Sequence, residues 1–109
     1  MPPMAKLILF VSKGCPHCPK AAAVVMRIAR EYEEDGLSYE KVRTRTERGK
    51  RLSVRFNVNV FPTLLMFDGD GRLRAKISGV PSEDVLKKKV ELLLGLRKPL
   101  LSRFIPWRH

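Results

Sequence analysis

The run Lys6-Leu7-Ile8-Leu9-Phe10-Val11 constrains this chain more than any other stretch. Its apolar residues occupy consecutive positions, so a strand built from them presents apolar side chains to both faces. Such a strand has to lie inside a sheet that is covered above and below. The requirement points to an α/β domain, and the following residues supply a cover. The strand stops at Ser12-Lys13-Gly14. After Cys15-Pro16 a helical pattern begins, with Cys18, Ala21, Ala22, Val25, Ile28, Ala29 and Tyr32 on one stripe and Gly36 as its stop.

Ser38 to Arg43 predicts a second strand anchored by Tyr39 and Val42, and Glu47 to Phe56 predicts a short basic helix with Leu52 and Phe56 at helical spacing. Val60 to Asp68 is a strong strand whose Pro62 is tolerable only near its start or at an edge, so Pro62 marks its beginning. Asp68-Gly69-Asp70-Gly71 supplies turn chemistry. Beyond it Leu73, Ala75 and Ile77 alternate with Arg72, Arg74, Lys76 and Ser78, as expected for an antiparallel hairpin with one wet face. Ser82 is the expected cap of a last helix, with Glu83 and Asp84 in its first turn, a stripe of Leu86, Val90, Leu93 and Leu94, and Gly95 and Pro99 bracketing its end. The order β-α-β-α-β-β-α calls for a right-handed crossover in the first unit and a four-stranded mixed sheet with helices on both faces.

With 109 residues the chain has the length of one domain, and no stretch reaches the roughly 18 apolar residues of a membrane span. A soluble domain is expected. Leu7 to Val11 is too short for the apolar centre of an export signal, which leads to the expectation of a cytoplasmic protein. Twenty-two Lys and Arg against eleven Asp and Glu give a net charge of +11. That excess implies attraction to polyanions, acidic proteins or anionic membrane surfaces, without choosing among them.

The chain has two cysteines, Cys15 and Cys18. A bridge between residues three apart closes so small a loop that it constrains little of the unfolded chain, so a structural staple explains the pair poorly. Redox chemistry explains it better. Disulfide exchange needs a thiolate, and therefore one cysteine with a pKa below the free value of about 8.5. With Cys15 at the helix N-cap and Pro16 at the first helical position, unpaired backbone N–H groups and the positive dipole end favour the anion. His17, when protonated, adds a positive charge beside it. Cys18, one turn on and on the apolar stripe, is within disulfide reach yet hidden. Cys15 is accordingly the expected attacking sulfur and Cys18 the resolving one. A two-residue-spaced pair is also half of a soft-metal site, but only His17 and His109 are available to complete a tetrahedral set. The strand-turn-helix setting favours redox over metal binding or inert buried thiols.

Gly14-Cys15-Pro16-His17-Cys18-Pro19 after an apolar strand, followed later by Val60-Phe61-Pro62-Thr63-Leu64-Leu65-Met66-Phe67 and a glycine turn, resembles the thioredoxin superfamily over roughly residues 5 to 96. Fourteen residues before Cys15 leave no room for the extra N-terminal strand and helix of thioredoxin, so the layout resembles the minimal glutaredoxin core, while the last strand and loop look like thioredoxin. The whole is similar to the small glutaredoxin-like thioredoxins, with residues 1–96 as the domain and residues 97–109 as a basic, aromatic tail. The resemblance implies a protein-disulfide oxidoreductase. It also implies a cis Phe61-Pro62 peptide facing the cysteines, where the Phe61 backbone would pair with an extended substrate, and it matches Gly79 to the family's glycine after the last strand. Three features depart from the pattern. Pro16-His17 replaces the Gly-Pro of thioredoxins and matches strongly oxidising relatives, hinting at a raised potential. The strand Leu7 to Val11 carries no buried acid. Pro19 removes an N–H that the first helical bond would use if Cys15 were the cap, so either the helix starts later or that bond is forgone.

The expected function is thiol-disulfide exchange with protein substrates, with no cofactor and no metal. The expected partners are protein disulfides or dithiols, recharged by a thioredoxin-reductase-like enzyme, glutathione or another thiol. Lys13 sits where a glutaredoxin-like basic residue would meet a peptide carboxylate, but a solvated surface lysine is the preferred reading given the overall charge. Arg43, Arg45, Arg48, Lys50, Arg51 and Arg55 form a basic cluster, read first as a solvated face, then as a dock for an acidic partner, and last as a nucleic-acid contact, since no nucleic-acid motif accompanies it. In the tail, Leu100, Phe104, Ile105 and Trp107 are expected to pack back onto the domain, with weak association with an anionic surface or a dimer contact as the alternative. The competing function is a binding module that keeps the fold and uses its basic surface for nucleic acid, acidic protein or anionic membrane.

Overall fold

The computed structural model describes residues 4–95. Strand β1 (Ala5–Val11) leads to helix α1 (Cys18–Glu31), a 3-10 turn (Glu33–Asp35), strand β2 (Leu37–Arg43) and helix α2 (Glu47–Arg55). The hairpin β3 (Thr63–Phe67) and β4 (Leu73–Ser78) follows, and helix α3 (Glu83–Leu93) closes the order. The sheet runs β2-β1-β3-β4, with β1 parallel to β2 and antiparallel to β3, and β4 antiparallel to β3. This is the expected four-stranded mixed sheet.

The two faces of β1 separate two cores. Leu7 and Leu9 pack with Leu64 and Met66 under α1 and α3, through Ala21, Val25, Ile28, Leu86 and Val90. Ile8 and Phe10 pack on the other face with Val42, Leu65, Phe67 and the partly buried Leu52 and Phe56 from α2 and its end. Phe56 meets Phe67 edge to face, with ring centroids 5.3 Å apart. Consecutive apolar residues in β1 thus serve two separate interiors. On β2 the buried anchors are Leu37 and Val42, whereas Tyr39 is half-buried on the α1 side.

Local signals account for the joints. Gly36 takes a left-handed φ of 102° and ends the turn after α1. The Asp68 carboxylate accepts from the N–H groups of Asp70 and Arg72 at 2.9 and 3.0 Å, closing the hairpin turn and holding that carboxyl below the usual carboxylate range. Ser82 accepts from the Val85 N–H as the cap of α3. The Tyr32 hydroxyl donates to Glu91, joining the end of α1 to α3; burial first, and this hydrogen bond second, push its pKa upward. Strand β3 begins at Thr63, one residue after Pro62, because the proline has no N–H for the ladder. The tail, residues 97–109, lies outside the described residues, and with it the expected packing of Leu100, Phe104, Ile105 and Trp107.

Candidate active site

Strand directions gather four chain segments at one edge of the sheet. The end of β1 lies beside the end of β2, because the two run parallel, and beside the start of β3, because that pair runs antiparallel. The Thr44 N–H donates to the Val11 carbonyl at 3.1 Å, fixing the first junction. At the second, Phe10 is opposite Thr63, which puts Pro62 level with Val11. The end of β4 joins them through the Gly79 N–H, which donates to the Pro62 carbonyl at 2.8 Å. The buried Thr63 hydroxyl donates to the Val60 carbonyl at 2.7 Å and holds the loop before it. The peptide between Phe61 and Pro62 is cis.

Cys15 and Cys18 form a disulfide at this edge, with Cα atoms 5.4 Å apart. The loop that carries Cys15 turns at Gly14, whose φ is 78° and whose missing side chain would meet nothing within 4 Å. Gly14 is needed for its backbone angle and not for space. The Cys15 N–H donates back to the Ser12 carbonyl at 3.4 Å.

The two sulfur-bearing residues differ in exposure. Cys18 is 5% exposed on the buried stripe of α1, and Cys15 is only partly covered. The helix starts later than a Cys15 cap requires: His17 is the N-cap, Cys18 the first helical residue and Pro19 the second. The physical reason is Pro19. In the first turn its absent N–H is one of the donors that have no helical partner, so nothing is lost, and the first helical bond runs from the Ala21 N–H to the His17 carbonyl at 3.1 Å. Cys15 therefore precedes the helix by three residues, and Pro16 lies outside it. His17 is exposed and its side chain makes no capping hydrogen bond.

A groove of about 440 Å³ opens on the β2 side of the disulfide, lined by Lys13, Cys15, Pro19, Lys41, Arg43 and Arg45 among others. On the opposite side lie the exposed Val60, the half-buried Phe61 and the buried Pro62. The structure divides the basic cluster read from the sequence. Arg43 and Arg45 face the groove, Arg48 is bound by Glu40, and Arg55 stacks over the Phe56 ring at 5.3 Å. Lys41 joins the groove without having been singled out. Its signal was the two-residue spacing to Arg43, which puts both on one face of a strand. Among the described residues no three His, Cys, Asp or Glu side chains converge as a metal-binding group.

An exchangeable cysteine pair at a strand-to-helix turn, level with a cis-proline loop on a β2-β1-β3-β4 sheet, defines the thiol-disulfide class of this fold. The Thioredoxin family model matches residues 3–92, and the chain belongs to that family. A probable thioredoxin of Archaeoglobus fulgidus is 32% identical over 92 residues, covering 84% of this chain and 92% of the relative. Protein disulfide-isomerase erp38 of Neurospora crassa is also 32% identical, over 84% of this chain but only 25% of its own length. Oxidized thioredoxin O2 of Arabidopsis thaliana has a TM-score of 0.69 at 24% identity, over 84% of this chain and 76% of that one, which shows the shared fold. Together with the Cys15–Cys18 disulfide, the family makes this chain a protein-disulfide oxidoreductase.

Proposed function

We propose that Cys15 is the attacking sulfur and Cys18 the resolving one, in exchange with disulfides of protein substrates. The unequal exposure of the two cysteines carries this reading, since an incoming disulfide meets Cys15 first. In the reduced protein the Cys15 thiolate attacks one sulfur of the substrate disulfide, forms a mixed disulfide and expels the other substrate sulfur as thiolate. Cys18, deprotonated, then attacks Cys15, releases the second substrate sulfur and leaves the Cys15–Cys18 bond. Two electrons pass to the substrate, whose two thiolates take up the two protons that Cys15 and Cys18 gave up. The reverse sequence oxidises a dithiol.

The first-turn backbone N–H groups of α1 and, when protonated, His17 favour the Cys15 anion, while the partly exposed Phe61 offers its backbone to an extended substrate segment. Pro16-His17 biases the pair toward the reduced form, which makes its disulfide the stronger oxidant. Electrons arrive from a thioredoxin-reductase-like enzyme, glutathione or another thiol. The test is turnover of insulin disulfides with dithiothreitol as donor. Cys15→Ser is expected to lower turnover at least about a thousandfold, as removal of an attacking nucleophile does. Cys18→Ser is expected to accumulate a mixed disulfide at Cys15, visible by mass spectrometry. Full turnover by Cys15→Ser would remove the reading.

A further inference from the structure

We propose that the groove beside Cys15 receives acidic side chains of a protein substrate, so that this oxidoreductase favours cysteines flanked by Asp or Glu. The proposal rests on Cys15 as the attacking sulfur and adds the substrate class.

Strand periodicity builds the groove. Lys41 and Arg43 are opposite Leu9 and Val11 in the parallel register, so they share the α1 face with the disulfide, whereas Glu40 and Val42 point to the α2 face. Lys13, two residues before Cys15, and Arg45, in the turn after β2, complete a set of four exposed cations around one opening. None of the four forms an ion pair with a described residue, and no acid lines the groove. Like charges held in one cleft repel each other in the free protein and are relieved by an anion from outside.

The location selects the anion. Cys15 and Cys18 line the same groove, so whatever fills it is next to the sulfur that must be reached. A polypeptide crossing the disulfide meets an apolar flank at Val60 and Phe61 on one side and four cations on the other. The lining contains no aromatic ring on which a base would stack, so an acidic peptide suits it better than a nucleic acid.

The experiment compares reduction of peptide disulfides of equal length whose cysteines are flanked by Asp and Glu, by Asn and Gln, or by Lys. The full chain in its reduced form is used at about 10 mM and about 1 M salt, where the screening length falls from about 30 Å to about 3 Å. At low salt the acidic peptide is expected to be reduced about tenfold faster than the neutral one, the lower end of what electrostatic steering gives, and the Lys peptide more slowly still. The acidic-to-neutral ratio is expected to approach one at high salt and in Lys41→Gln/Arg43→Gln, and to persist in Lys88→Gln/Lys89→Gln, which removes the same charge from α3. A wild-type ratio near one, or an equal fall in both double variants, would overturn the proposal in favour of overall charge. Stronger competition by a charge-matched oligonucleotide than by the acidic peptide would overturn it in favour of nucleic acid. Glutathione disulfide reduced faster than the acidic peptide, with the same dependence on Lys41 and Arg43, would overturn it in favour of a small thiol. Failure of the neutral peptide to react at all would instead remove the oxidoreductase reading. The groove is then read by anisotropy of a labelled, cysteine-free acidic peptide, with weaker binding to Lys41→Gln/Arg43→Gln than to wild type expected and equal binding contradicting the proposal.

Discussion

The two faces of the edge strand β2 treat their charges in opposite ways. On the α2 face, the Glu40 carboxylate accepts two bonds from Arg48, at 2.7 and 2.8 Å, and lies 3.3 Å from Lys6. On the α1 face, Lys41 and Arg43 have no such partner among the described residues and look onto the groove beside Cys15. The first arrangement ties α2 to the sheet. The second leaves positive charge at the end of the sheet where the chemistry occurs. A net charge of +11 is therefore a poor guide on its own, because neighbouring residues of one strand put their charges to structural use on one side and to recognition on the other.

The faces meet at Gly49, and its replacement is the harshest way to disturb the contrast. Gly49 is buried in α2, and a Cβ there would overlap the Arg43 carbonyl, the backbone that carries the groove's arginine. Helix propensity alone favours Gly49→Ala by about 1 kcal/mol. Overpacking against fixed backbone works against it, and a net loss of about 2 kcal/mol is expected in urea unfolding. A stabilised variant would show that α2 does not press on the end of β2.

Thr46 sharpens the same junction at smaller amplitude. Its hydroxyl accepts from the Gly49 N–H at 2.9 Å as the cap of α2 and is 2.8 Å from the Arg43 carbonyl, to which it donates. Thr46→Ala is expected to cost about 1 kcal/mol, the usual value of a lost cap, again by urea unfolding. No change would mean that solvent replaces both bonds.

Glu40 gives the smallest effect and isolates the paired face. Its hydrogen bond from Arg48 first, and then Lys6, hold its carboxyl below the ordinary range despite some burial. A folded-state pKa below the unfolded value of about 4.3 stabilises the fold above that value, and the gain disappears as pH falls through the lower folded value. The stability difference between wild type and Glu40→Gln is accordingly expected to be constant above about pH 5 and to shrink below it, and to weaken with salt, since both partners are partly exposed. A difference that grows on acidification would contradict the assignment.

Much of this architecture was legible from local chemistry. Leu7 to Val11 announced a strand with two covered faces, Asp68 to Gly71 a turn, and Ser82 a cap, because each signal acts within a few residues. The cysteine pair was legible for the same reason, and Pro19 disclosed a conflict that the structure settles by moving the start of α1 to Cys18. The groove was not legible. Lys13 and Lys41 are far apart in the chain and meet only through the parallel pairing of β1 with β2, and no local pattern reports which arginines the fold neutralises. Arg48 and Arg43 read alike in the sequence and differ because one of them faces Glu40. Gly49 likewise read as an ordinary residue of a basic helix until the end of β2 was placed against it.

The most direct test of the attacking role of Cys15 is the pH dependence of iodoacetamide alkylation in the reduced protein, with the modified cysteine identified by mass spectrometry. Cys15 is expected to react first, with a midpoint below the free-thiol value of about 8.5, while Cys18 lags because it is buried. A midpoint at or above that value, or modification of Cys18 before Cys15, would contradict the account.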